Sequence, residues 1–499
     1  MPMRVAFITA ECEPWAKTGG LADVVDALAR ALGHLDPTVI GGPVDVFLPR
    51  YRGVPEPTTL EADTVLEVPD PRSPVGHTPV TVLDVRADGY RLRLVDLPAA
   101  FDREGFYGDG GGDYADNAWR FGMFCRAALE ALREDGRPVD VLHLHDWHTG
   151  PAAIFRDARY ADDPIVGRAA ILMTLHNLAY HGWTPRTSLP QLGLRPGDGI
   201  VPAAADGVDL LRSGIERAEL ANTVSPGFAA EALTPAFGMG LDGVLREMGD
   251  RFFGILNGLD TTVWDPATDA DLAAVYSRGD LGGKAMCRAD LLLRAGFDPD
   301  DAGPVIGMIG RLDPQKGFDL LSDAAPALLQ RGVRLIVQGS GDASLAGPFR
   351  ALAAANPERV FLFERFDRAM ARRIYAGVDL FAMPSRFEPC GQGQMIALRY
   401  GTPPIVNHTG GLADTVVDET THPGRGTGFS FDGATVEGLL GACDAATALF
   451  GAGGPGWREL QDRGMAVDFG WSTGSAPRYL DAYLRAIAIR ADRLSAKGV

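Results

Sequence analysis

Met383-Pro-Ser-Arg-Phe-Glu-Pro-Cys-Gly-Gln-Gly-Gln394 is the stretch from which the rest of the chain can be read. Before it, Asp379-Leu-Phe-Ala-Met383 is an apolar run with the length of a buried strand. After it, Gln394-Met-Ile-Ala-Leu-Arg-Tyr400 reads as a helix that stops at Gly401. A single carboxylate, Glu388, therefore falls in the turn from a strand's carboxyl end into a helix start. Gly391 and Gly393 let a ligand approach the backbone closely, and the first N–H groups of the helix face an anion placed there. One carboxylate able to grip hydroxyls, beside donors able to grip phosphate, is what a sugar–nucleotide site needs. A plain strand–loop–helix corner with a solvated Glu fits the same residues, and what stands elsewhere in the chain decides between the two.

Upstream of this stretch the same alternation repeats. Val305–Ile309, Leu335–Val337, Val360–Phe363 and, downstream, Pro403–Val406 read as strands with helical segments between them, which predicts a parallel α/β domain. The strand ending at Ile309 leads into Gly310-Arg-Leu-Asp-Pro-Gln-Lys316-Gly317, so Arg311 and Lys316 are expected in the loop at its carboxyl end. Arg suits forked oxyanion binding and Lys supplies a compact charge; a solvated basic loop is the plain alternative. Leu259 to Asp280 is turn-rich and reads as a linker.

Before the linker a second series appears: Arg4–Thr9, Val44–Leu48, Pro79–Val85, Arg91–Val95, Val139–His145, Ala169–Leu175, Leu220–Val224 and Phe252–Leu256, with helices expected at Leu21–Leu32 and Asp116–Arg133. Phe101–Gly112 is glycine-rich and reads as a mobile loop. Three apolar strands end in polar residues that can hydrogen-bond a sugar: His145-Asp146-Trp147-His148, His176-Asn177 and Asn257-Gly258. In open parallel sheets, ligands bind outside the carboxyl ends of the strands. Lys17 precedes Gly19 and Gly20 at a strand–turn–helix corner of the phosphate-binding type. The hexapeptide Thr18-Gly-Gly-Leu-Ala-Asp23 returns as Thr409-Gly-Gly-Leu-Ala-Asp414, so each half has a glycine turn opening a helix, Thr409 and Gly410 matching Thr18 and Gly19.

At 499 residues the chain exceeds one ordinary core. Its 46% apolar and 22% charged content excludes a disordered chain, and a net charge of −18 argues against a general nucleic-acid binder. Five scattered cysteines suit reduced thiols rather than a disulfide framework. With strand-like sequence from Arg4 and no apolar run of membrane-spanning length, a soluble cytoplasmic protein is expected.

Taken together, the chain resembles the bacterial glycogen synthase and plant starch synthase family of retaining glucosyltransferases that use ADP-glucose. The words that carry the resemblance, in the family's order, are Lys17-Thr-Gly-Gly-Leu21, His145-Asp-Trp-His148, His176-Asn-Leu-Ala-Tyr180, Thr223-Val-Ser-Pro226, Asn257-Gly258, Arg311-Leu-Asp-Pro-Gln-Lys316-Gly317, Pro384-Ser-Arg-Phe-Glu-Pro-Cys-Gly391 and Thr409-Gly-Gly-Leu412. The resemblance implies two Rossmann-like domains facing across a cleft, the GT-B arrangement. Residues 1–258 would form the acceptor-side domain, 259–475 the donor-binding domain, and 476–499 a C-terminal helix crossing back to the first. It implies that Arg311 and Lys316 bind the diphosphate, that Lys17 reaches phosphate or sugar, and that Glu388 holds glucose hydroxyls assisted by the amides near Cys390 and Gly391. His176, Asn177, Asn257 and Asp146 would surround the glucose, and Phe366 would stack on adenine. No metal or other cofactor is implied. The partners implied are a nucleotide sugar and an α-glucan; nothing in the sequence sets the oligomeric state.

Three places depart from the family's usual residues: Gln392-Gly393 after Gly391, Cys287-Arg288, and Arg365 before the stacking aromatic. A related transferase using UDP-glucose or a small acceptor, and a non-catalytic glucan- or nucleotide-sugar-binding protein, remain alternatives. A glucan phosphorylase would need pyridoxal phosphate and usually a much longer chain.

Overall fold

The computed structural model describes residues 2–110, 112–194, 198, 202–204 and 207–496. The chain forms two compact units. One contains residues up to Val224, Ala229–Gly258 and those from Trp471 on; the other contains Ser225–Phe228 and Leu259–Gly470.

In the first unit the strands are β1 (Val5–Ile8), β2 (Val44–Pro49), β3 (Leu60–Pro69), β4 (His77–Arg86), β5 (Tyr90–Asp96), β6 (Val141–His145), β7 (Ala170–Leu175), β8 (Thr184–Pro185), β9 (Pro202–Ala204), β10 (Gly207–Val208), β11 (Leu220–Thr223) and β12 (Phe252–Gly254). The main sheet runs β12-β11-β7-β6-β1-β2-β5-β4-β3, and β8-β10-β9 form a small separate sheet. The strands from β12 through β5 are parallel, and β4 and β3 add an antiparallel hairpin to the edge. Strands β1, β2, β6, β7 and β11 are buried along their whole length, as parallel strands are when helices cover both faces. The sequence reading lacked β3: its first six residues are all exposed and half of them are polar, so it carries little hydrophobic signal.

The terminal helix, Ala476–Ala496, packs on β6 and β7 of this unit; the sequence reading's last residues, 497–499, lie outside the described part. Tyr479 and Tyr483 are fully buried. They close a polar chain through the core: Asn222 Nδ2 donates to the Tyr479 hydroxyl (3.3 Å), Thr174 Oγ1 donates to Asn222 Oδ1 (2.8 Å), and His143 bonds Thr174 (2.7 Å) on one side and the Tyr483 hydroxyl (2.9 Å) on the other. Near the helix's far end Arg493 donates to Glu219 Oε1 (2.9 Å), while the buried Arg156 pairs with Glu219 Oε2 at 2.7 Å.

The second unit has β13 (Val305–Leu312), β14 (Arg334–Gly341), β15 (Val360–Phe363), β16 (Leu380–Met383), β17 (Pro404–Asn407) and β18 (Phe429–Phe431), all parallel in the order β15-β14-β13-β16-β17-β18. This is the doubly wound Rossmann order. Its core gathers Ile306, Leu335, Val337, Leu380, Ile405 and Phe318. Residues 259–280 contain no helix or strand, as the linker reading expects, but they are bound to this unit. The Tyr276 hydroxyl donates to Tyr400 O (2.9 Å), the Tyr400 hydroxyl bonds the buried Asp269, and Arg372 pairs with Asp269 at 2.8 Å.

Candidate functional site

Among the parallel strands, the chain leaves for the opposite side of the sheet between β1 and β6 in the first unit and between β13 and β16 in the second. Such switch points leave a crevice at the strands' carboxyl ends. Lys17 and Asp146 follow β1 and β6, and Lys316 and Glu388 follow β13 and β16, whereas His176, Asn257 and Phe366 follow strands farther along the two sheets.

In the second unit the loop after β13 and the loop after β16 are stitched together. Arg386 donates from its backbone to Gln315 O (2.8 Å) and from its guanidinium to Pro314 O (2.6 Å), and it grips Asp319 with two guanidinium nitrogens (2.9 and 2.6 Å); Gln315 Nε2 returns a bond to Phe387 O (3.1 Å). Gly317 has φ +73°, and an added Cβ would stand 2.2 Å from Pro384 O, so only glycine permits this approach. The outcome is that Lys316 Nζ sits 2.6 Å from Glu388 Oε2, across 72 residues of sequence. Glu388 is 5% exposed and also accepts from Ser385 Oγ (3.1 Å). A buried, paired carboxylate replaces the solvated Glu of the plain reading.

Arg311 is not in a loop. β13 runs three residues past Ile309 because β14 runs on beside it, pairing Arg311 with Ser340, and the Arg311 side chain is 64% exposed. Gly391 has φ +73°. The helix Gly410–Thr415 meets the Glu388 loop closely: Gly411 N donates to Glu388 O (2.9 Å), and a Cβ at Gly411 would lie 2.2 Å from Cys390 O. Thr409, Gly410, Cys390, Gly391, Glu388 and Lys316 are thereby collected at one end of the sheet. Phe366 stands apart after β15, its side chain exposed.

The three departures have local causes. A Cβ at Gly393 would meet Met383 Sδ and Phe381 Cε1 at 3.1 Å and the Tyr375 hydroxyl at 3.3 Å, so space there is tight. Arg288 bonds the Asp379 carboxylate (3.2 Å) and the Asp301 and Gly303 carbonyls, while Cys287 Sγ meets Ala274 O at 3.2 Å. The Arg365 guanidinium lies 4.5 Å over the Phe363 ring.

In the first unit Asp146 follows β6 with φ +57° and ψ −175°, a conformation that a non-glycine residue adopts only when its surroundings enforce it. Its Oδ1 accepts the His176 N–H at 2.7 Å, tying the end of β6 to the end of β7. Burial raises its pKa to about 7, against the opposing backbone bonds from His176 and Asn177. His145 Nδ1 and His176 Nε2 are 3.1 Å apart, and burial pushes His176 down to about 3, so this pair is neutral at ordinary pH. Asn177 Oδ1 caps its own turn by accepting Ala179 N–H (2.9 Å). Asn257 is held by its backbone to Val224 O (3.2 Å), and its buried Oδ1 has no protein partner.

Lys17 Nζ pairs with Asp23 (2.5 Å) and Glu13 (3.3 Å) at the head of the helix Gly20–Gly33. At the corner expected to bind phosphate, the amides of Thr18 and Gly19 donate to the Glu11 carboxylate at 2.6 and 3.0 Å. Sequence reasoning missed Glu11; the one available signal was an acidic residue three positions beyond the end of an apolar strand.

Two parallel Rossmann units of this kind define the GT-B class of glycosyltransferases. The starch synthase catalytic domain family matches residues 4–247, and the group 1 glycosyl transferase family matches residues 303–446. The glycogen synthase of Syntrophotalea carbinolica is 40% identical over 498 residues, covering 98% of this chain and 99% of that protein; that of Anaeromyxobacter dehalogenans is 41% identical over 500, covering 97% and 99%. The chain belongs to the glycogen and starch synthase family and is a glycosyltransferase. Among solved structures, the catalytic domain of starch synthase IV from Arabidopsis thaliana, bound to ADP and acarbose, superposes with a TM-score of 0.87 at 32% identity, covering 98% of this chain and 100% of that one. Sucrose-phosphate synthase from Thermosynechococcus elongatus shares the fold, with a TM-score of 0.61 at 18% identity.

Proposed function

We propose that this chain transfers glucose from ADP-glucose to the non-reducing-end 4-hydroxyl of an α-1,4-glucan, retaining the anomeric configuration. The observation that carries the proposal is the Lys316–Glu388 pair at the switch point of the second unit, one cation and one carboxylate 2.6 Å apart. A nucleotide diphosphate-sugar offers a matched partner to each: phosphate oxygens for Lys316 and Arg311, glucose hydroxyls for Glu388. The ADP and acarbose bound by the Arabidopsis relative support this choice of ligand classes.

As the bond to the leaving phosphate lengthens, positive charge develops on the sugar ring and negative charge on the diphosphate. Lys316 and Arg311 stabilise the latter as fixed charges, without reorganisation during the step. The departing phosphate takes the acceptor's proton on the face it leaves, which gives retention. His176, neutral at ordinary pH, serves as a hydrogen-bonding group to the sugar rather than as an acid. Asp146, Asn177 and Asn257 take glucose hydroxyls; the unpartnered Asn257 Oδ1 suits that role. Lys17 meets phosphate or sugar with its ammonium, and Cys390, Gly391, Thr409 and Gly410 line the phosphate side. This chemistry calls for no metal or cofactor. Free, buried cysteines support a cytoplasmic setting, and no helix among the described residues is long and apolar enough to cross a membrane.

The test is nucleotide release from ADP-glucose and, separately, UDP-glucose, each with and without glycogen. ADP release that requires glycogen, with the glucan growing, is expected. UDP release alone would change the donor, and no release from either would end the catalytic reading. Phe366→Ala should raise the KM for ADP-glucose about 2- to 10-fold with kcat nearly unchanged, the loss of one aromatic stacking contact; an unaltered KM would remove Phe366 from the donor site.

A further inference from the structure

We infer that Glu11 is the residue that positions the Lys17–Gly20 loop for glucosyl transfer, an assignment that rests on the reaction proposed above. Glu11 is 4% exposed. A carboxylate this buried is tolerated only when its lone pairs find donors. Here four donors converge on it: Thr18 N (2.6 Å), Thr18 Oγ1 (2.5 Å), Gly19 N (3.0 Å) and the Tyr107 hydroxyl (2.6 Å). Tyr107 is itself fixed, since Asn117 Nδ2 donates to its carbonyl (2.9 Å) and Arg120 Nη1 holds Asn117 Oδ1 (2.6 Å). The glycine-rich segment around Tyr107 and the Lys17 loop are therefore joined through one carboxylate.

The amides of Thr18 and Gly19 are already occupied by this resident anion, and a phosphate placed on them would meet like charge. What the loop presents outward is different. The Lys17 ammonium remains partly exposed, and an ideal Cβ on Gly19 or Gly20 would meet nothing within 4 Å. That open backbone suits the approach of a neutral, hydroxyl-bearing ligand. Glu11 thus fixes the loop's shape from behind, and its effect reaches the reaction through the placement of Lys17 and the two glycines.

The test measures kcat, KM for ADP-glucose and thermal midpoint in wild type, Glu11→Gln, Thr18→Val and Tyr107→Phe. Gln keeps the size but turns an amide NH2 toward N–H donors. Its kcat should fall about 10- to 100-fold, the cost of a misplaced loop, while the KM for ADP-glucose shifts less than about threefold, the pattern of lost transition-state contacts. Thr18→Val and Tyr107→Phe each remove one of the four bonds, should give intermediate losses, and carry the test if Glu11→Gln does not fold. Unchanged kcat in folded variants overturns the assignment. So does a raised KM with kcat retained, which would make the loop a donor-phosphate cradle. A wild type that releases no ADP removes the reaction itself, whereas an active wild type with unaltered variants removes only the role of Glu11.

Discussion

Lys316→Ala should lower kcat for glucosyl transfer by about 10²- to 10³-fold, corresponding to about 2.7–4 kcal/mol of lost charge stabilisation, by analogy with removal of an oxyanion-hole donor. Lys316 is placed by three independent devices: the Arg386 clamp, the Gln315 return bond and the Gly317 approach to Pro384. None of these depends on the ammonium, so the loop should keep its course in the variant. Glu388 loses its cation but keeps the Ser385 bond. The expected signature is a large fall in turnover with a small change in thermal midpoint. Lys316→Arg should not restore activity, because a planar guanidinium cannot occupy the place of a compact ammonium. Wild-type turnover in Lys316→Ala, measured as ADP release with saturating glycogen, would take Lys316 out of the mechanism.

Asp146→Asn should make the protein more stable than the wild type, by an amount that depends on pH. An unfolded Asp ionises near pH 3.9, whereas burial holds Asp146 protonated in the folded state up to about 7. Between these values the folded state binds the extra proton, so wild-type stability falls as pH rises from about 4 to about 7, and the penalty is constant above that. Asn carries no such penalty and still offers an oxygen to the His176 N–H. The gap between variant and wild type should therefore be small near pH 4, grow through pH 5 and 6, and level off at about 2–4 kcal/mol. Guanidinium unfolding at several pH values reads this directly. A gap of equal size at all pH values would mean that Asp146 is ionised throughout. Activity should fall in the same variant, since the carboxylate is proposed to take a glucose hydroxyl.

The parts of the fold legible in the sequence were those with strong local signals. β6, β7, β11 and β13 to β17 each contain a mainly apolar stretch, and several of their ends were marked by His145-Asp146, His176-Asn177 and the Glu388 stretch. The strand orders that place the first and last of these ends at switch points are tertiary facts that no window of sequence contains. β3 was hidden because an exposed edge strand need not be apolar, and the extension of β13 to Leu312 depends on its neighbour β14. Within the candidate site, Lys316 and Glu388 could each be named, but not their mutual bond. Glu11 was passed over because the same residue type in a solvated loop would look identical; only burial and four converging donors set it apart. His143 shows the reverse case, a histidine two residues from a site strand's end that belongs to the polar core.

The terminal helix has a bearing on how the protein is made. His143 takes its hydrogen bond from, or gives it to, a tyrosine 340 residues later, and Glu219 is bridged to Arg493. During synthesis the second unit is complete once Gly470 has emerged, while the first unit, whose strands left the ribosome long before, still lacks the helix that covers β6 and β7. The polar chain of His143, Thr174 and Asn222 in the earlier-made half can therefore be completed only after Tyr479 and Tyr483 have been added, later than every residue of the second unit.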